Sequence, residues 1–170
     1  MAGRSETVRI AAAPLRAAYP GSVTLTDLMP SLRRSIPDPL DPRRWPARTS
    51  ATLDDVVVEG VSLERLVGWC GTPCVHTCEV GAVVVARVET VETRPDGSLD
   101  VWVDAELHHC TAFLAEARLI GRVSTAADRR VALRPAVDPV AETMLPGDVR
   151  AGDLVVVPCA DAVRLRDLER

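Results

Sequence analysis

The sequence predicts a mainly β fold: a small antiparallel β-barrel or sandwich, with one short helix and an irregular N-terminal arm. Two observations predict it. From Leu53 onward, β-branched runs recur between turn residues, the pattern of short strands in a β domain. Before that, Pro14, Pro20, Pro30, Pro37, Pro39, Pro42 and Pro46 crowd the chain, and each removes a donor that helices and central strands both need. The chain therefore divides into an arm, 1–50, and a β domain, 51–170. At 170 residues it is long enough for one domain with a hydrophobic core.

Within the arm, one short helix is expected around Leu25 to Arg34, capped by Thr24 or Thr26, with Trp45 and Ile36 pinning the arm to the body. Val56 to Val58 form an apolar run that ends at Gly60. Ser62 then caps a helix whose Leu63, Leu66 and Val67 share one face, and Gly71 stops it. Strands are expected at Cys74 to Cys78, Ala82 to Glu92, Leu99 to Leu107, Arg118 to Ser124, Arg129 to Val137 and Leu154 to Pro158. Asp96-Gly97 joins the second and third of these in a tight hairpin, since that pair accepts positive backbone angles. Along Leu99 to Leu107, apolar Leu99, Val101, Val103, Ala105 and Leu107 alternate with Asp100, Trp102, Asp104 and Glu106, so one face is apolar and the other polar.

Composition narrows the function. The chain is 47% hydrophobic and 26% charged, with a formal net charge of −4, and its arginines are scattered among acids. That excludes the basic stripe of a nucleic-acid binder. No apolar run approaches the roughly 20 residues needed to cross a bilayer, and Glu6, Pro14 and Arg16 interrupt any leader core. A cytoplasmic location is expected, with the 5 cysteines as reduced thiols. Lysine is absent: all 20 basic residues are arginine.

The stretch LDPRRWPARTSATLDDVVVEGVSLERLVGWCGTPCVH, residues 40–76, resembles the start of an actinobacterial diaminopimelate decarboxylase, a pyridoxal phosphate-dependent enzyme. CEVGAVVVARVETVETRPDGSLDVWVDAEL, residues 78–107, is similar to that family's EPGR segment and the strands after it. LRPAVDP and LPGDVRAGDLVVVPCADAV are similar to its C-terminal region. What is missing between His76 and Glu79 is the cofactor-binding α/β barrel, a unit of about 250 residues. The resemblance implies a β domain that both chain ends build and that survives removal of an inserted barrel.

It also implies that the family's chemistry is gone. A Schiff base with pyridoxal phosphate needs a lysine, and none exists. The family's tyrosine falls on Val163, its cysteine on Val137, the acid after it near Ala141, and an expected arginine near Ala112. Only Glu79 and Gly81 remain of the EPGR element. No cofactor is therefore expected, apart from a possible zinc ion.

New chemistry would centre on two segments. On a strand, Cys74, His76 and Cys78 project from one face. If a neighbouring strand carried Cys110, three thiolates and an imidazole would surround zinc; buried thiols are the alternative. His76, His108 and His109 are candidate acids or bases, with Glu79, Asp104 and Glu106 as carboxylate partners. A solvated loop is the alternative for His108 and His109. Trp69 and Trp102 would line a pocket or simply pack.

Two function classes follow. One is an enzyme independent of pyridoxal phosphate: a cyclase, isomerase or lyase holding a small-molecule substrate, a natural-product intermediate of a bacterial pathway, in a reactive shape. The other is a non-catalytic binding or assembly partner. The resemblance implies dimers, so the partner would be a second copy, giving a homodimer, or a full-length decarboxylase-like protein, giving a heterodimer. Neither nucleic acid nor membrane is an expected partner.

Overall fold

The computed structural model describes residues 24–134 and 142–169. Val137 and Ala141 lie outside the described residues. The fold is mainly β, with a nearly closed sheet and, among the described residues, two α-helices. In the arm, α1 (Leu25–Leu28) is capped by Thr24, whose hydroxyl accepts from the Asp27 amide while Asp27 reaches back to the Thr24 amide. A 3-10 turn follows at Pro30–Arg34. The proline splits what the sequence presents as one helix, because it cannot donate to the turn before it. Trp45 is buried, whereas Ile36 is exposed, so the arm is not pinned through Ile36.

Three short strands, β1 (Thr49–Ala51), β2 (Val56–Val58) and β3 (Val61–Ser62), form a separate antiparallel sheet. Helix α2 (Leu63–Cys70) begins at the Ser62 cap and ends where Gly71 turns to a φ of 77°. Its Leu63 and Val67 are buried, as the spacing predicts.

Strand β4 (Cys74–Thr77) makes a hairpin with β5 (Ala82–Thr93). Then come β6 (Leu99–Val103), β7 (Arg118–Ile120), β8 (Asp128–Arg134), β9 (Glu142–Pro146) and β10 (Leu154–Cys159). The large sheet runs β7-β10-β5-β6-β8-β9, with β4 also on β5. The expected Asp96-Gly97 turn joins β5 to β6: Arg94 donates to the Ser98 carbonyl at 2.8 Å, and Gly97 has a φ of 82°. One pairing is parallel, β6 with β8. Parallel neighbours need a long crossover, and the segment 104–127 supplies it.

Strand β6 stops at Val103 rather than Leu107. The apolar alternation nevertheless continues inward, since Ala105 and Leu107 are both buried. The sheet encloses one core, formed by Ala82, Val84, Ala86 and Val88 of β5 with Val101, Leu133, Leu145 and Val157. Val83 and Val85, on the opposite face of β5, pack into a second core with Trp45, Val58, Leu63, Val67 and Cys74. β5 thus begins buried on both faces. Its unbroken run of alanine and valine is how such a strand reads.

Candidate functional site

The hairpin between β4 and β5 is where the sequence resemblance places the missing barrel. Thr77 pairs with Ala82, and the Cys78 amide donates to the Gly81 carbonyl at 3.2 Å. Gly81 has a φ of 79°, and a Cβ there would lie 2.5 Å from the Cys159 carbonyl oxygen. Glycine is required for this close approach. Glu79 is exposed at the turn. Gly81 therefore holds the turn, and Glu79 faces solvent.

His76 and Cys78 do project from one face, as a period of two demands. They are joined by Glu59, from the two-residue turn between β2 and β3. One ligand atom from each of Glu59, His76 and Cys78 lies within 4.8 Å of the other two. His76 Nε2 is buried and has no hydrogen-bond partner. Glu59 sits at a φ of 52° beside Gly60 at 88°, a double positive-φ turn that ordinarily favours asparagine, aspartate or glycine. Its carboxylate also accepts from Arg48 at 3.1 Å. Burial, and then the Glu59 carboxylate, push the Cys78 thiol pKa up.

The rest of the expected zinc set is not brought there. Cys74 is buried in the second core, where desolvation, followed by Cys70 and Asp104, pushes its thiol up to about 11. Cys110 packs against the first core, on the other side of the sheet, next to Cys159. Sharing a face was legible from spacing. Which strands are neighbours was not, and the loop carrying Cys110 lies across the sheet from His76.

His108 and His109 lie in the loop after β6, with ring centroids 3.7 Å apart. His108 Nδ1 is 2.8 Å from a Glu106 carboxylate oxygen. Asp104 serves the sheet instead. Its carboxylate accepts the Arg87 amide at 2.8 Å, and its own amide donates to the Arg87 carbonyl at 3.1 Å. This stitches β5 beside the irregularity between Val88 and Thr90. Val163, where the family's tyrosine falls, is buried in the first core, and Ala112 bridges Cys159.

A groove of about 920 Å³ runs between the arm and the sheet. Ile36, Leu40, Leu53 and Met144 supply apolar walls. Its described lining also carries eight carboxylates and five guanidiniums, with no histidine or cysteine. The arginines are committed to the walls. Arg33 pairs with Asp128 and Asp38, Arg122 with Asp148 and Asp153, and Arg44 lies 3.7 Å from Asp41. Arg130 lies 3.6 Å from Asp96, and Arg118 donates to the Asp38 and Pro39 carbonyls. No charge pattern in the sequence marks this groove, since its walls come from distant segments. Trp69 and Trp102 stay outside it.

No protein-family model and no curated protein matches the sequence. Among solved structures, the chain is similar to the arginine decarboxylase of Paramecium bursaria Chlorella virus, both bound to agmatine and in a second crystal structure. Each similarity has 16% identity and a TM-score of 0.37, covering 52% of this chain and 28% of the decarboxylase chain. The chain thus spans a little over a quarter of the decarboxylase it is similar to. Among the described residues, no helix is long and apolar enough to cross a membrane.

Proposed function

We propose that the chain is a non-catalytic binding module whose groove receives a basic, amphipathic polypeptide segment. The observation that carries this reading is the lining of the groove: apolar side chains among an excess of carboxylates, eight against five guanidiniums. The excess negative charge attracts a cationic partner, and the apolar walls accept the side chains between its charges. Its described lining carries neither histidine nor cysteine.

The test is a binding titration of the full chain with a labelled peptide of alternating arginine and leucine, beside a copy with serine for arginine. Only the basic peptide is expected to bind, more weakly as salt rises. Asp54→Arg, which reverses a charge on the groove wall, should lower affinity by at least about threefold. Equal binding of the neutral peptide, or no effect of Asp54→Arg, would overturn the reading.

One observation favours a catalytic reading, a cyclase, isomerase or lyase independent of pyridoxal phosphate. His108 faces Glu106 at 2.8 Å, and a carboxylate at Nδ1 orients an imidazole as a general base. Turnover of a small-molecule substrate that survives His108→Ala would remove it.

A further inference from the structure

We propose that Glu59, His76 and Cys78 form a zinc site with three protein ligands and a fourth position open to water. Three independent features converge on it. The first is proximity across two hairpins: the three ligand atoms lie within 4.8 Å of one another. Around a tetrahedral zinc, with bonds of about 2.0 to 2.3 Å, ligand atoms sit roughly 3.3 to 3.7 Å apart. The separations in the structure exceed this by up to about 1.5 Å.

The second feature is the His76 imidazole, whose Nε2 is buried without a partner. A buried polar nitrogen left unbonded is costly, and coordination to a metal satisfies it. The third is Glu59 itself. Its positive φ of 52° is disfavoured for a residue that carries a Cβ, and that conformation sets its carboxylate beside a thiol and an imidazole. Arg48 engages Oε1, which leaves Oε2 for an ion.

The donor set selects the ion. A thiolate and an imidazole favour zinc over magnesium or calcium, which prefer oxygen. Cys78 binds as thiolate, so its proton passes to solvent on coordination. All three residues keep partial exposure, so the cluster lies near the surface, and the fourth position is assigned to water. Such an open position is typical of zinc that polarises a substrate or a water rather than only bracing a fold. The site also occupies the β4–β5 hairpin.

The test uses the full-length chain loaded with zinc or, as a spectroscopic probe, with cobalt(II). Elemental analysis should find one zinc per chain after desalting, and cobalt should give a thiolate-to-cobalt charge-transfer absorption. Cys78→Ser should abolish that absorption, and Glu59→Gln should weaken zinc binding by more than about tenfold. Cys110→Ser should leave both unchanged. X-ray absorption on the unmutated zinc-loaded chain should show one sulfur among nitrogen and oxygen neighbours. That measurement keeps the assignment falsifiable even where a variant fails to fold. A folded chain that retains no zinc, a band that persists in Cys78→Ser, or a shell with no sulfur or several would overturn the proposal. Loss of peptide binding at the groove would leave it untouched.

Discussion

The guanidinium of Arg33 meets both carboxylate oxygens of Asp128, at 3.0 and 2.7 Å, across 95 positions of sequence. Arg33 belongs to the arm and is only 6% exposed. Burial alone would lower its pKa, but Asp128 and Asp38 outweigh it and hold the pKa above the ordinary arginine value. The two parallel bonds fasten the arm to the start of β8, and a third reaches the Ala126 carbonyl at 3.1 Å.

Removing this cation leaves Asp128 without its bidentate partner. Arg33→Ala is expected to destabilise the fold by about 3 to 5 kcal/mol in urea unfolding. Arg33→Lys should restore little, because an ammonium cannot form the planar two-point pairing. A loss of less than about 1 kcal/mol in Arg33→Ala would mean the arm is held elsewhere.

Gly81→Ala should cost about 2 to 3 kcal/mol, since it adds a Cβ against the Cys159 carbonyl at a positive φ. Gly97→Ala, also at positive φ but with open space around it, should cost less, about 1 kcal/mol. The comparison separates collision from backbone strain, and equal losses at the two glycines would show strain alone to be responsible.

Asp100 gives a pH dependence with a definite sign. Hydrogen bonding to Arg94, at 2.6 Å through both Nε and a terminal nitrogen, holds its pKa below the usual carboxylate range against the opposing effect of burial, with Arg134 adding to it. A group whose pKa is depressed on folding stabilises the fold above its unfolded pKa, near 4, and loses that contribution as pH falls toward the folded value. Chemical unfolding from pH 6 down to pH 2.5 should therefore show a steeper decline in the unmutated chain than in Asp100→Asn. Parallel curves would contradict the pairing.

Cys159 should resist modification. Burial, followed by its neighbour Cys110, pushes its thiol up to about 12, so little thiolate exists at neutral pH. Cys70 is exposed. Mass spectrometry after iodoacetamide treatment at pH 8 should find Cys70 alkylated first and Cys159 only after denaturation. Early labelling of Cys159 would place it outside the core.

Local elements were legible because their causes are local. Ser62 and Gly71 bracket α2 by their own backbone chemistry, Asp96-Gly97 sets its turn, and the valines of β5 and β10 announce strands whatever their partners. β9 was not legible. Its Glu142–Pro146 segment is short and mixed in polarity, and becomes a strand only through pairing with β8. Likewise, β1 exists because β2 lies beside it.

For the candidate sites, the sequence by itself determined that no lysine stands among these 170 residues, and that His76 and Cys78 share a face. Both follow from residue identity and from the two-residue period of a strand. The tertiary structure alone decided that Glu59 joins them while Cys110 lies across the sheet, and that the carboxylates of arm and sheet gather on one groove. Those outcomes depend on which strands pair and which face each core covers. The partners come from distant segments, and spacing along the chain carries no record of which strands meet.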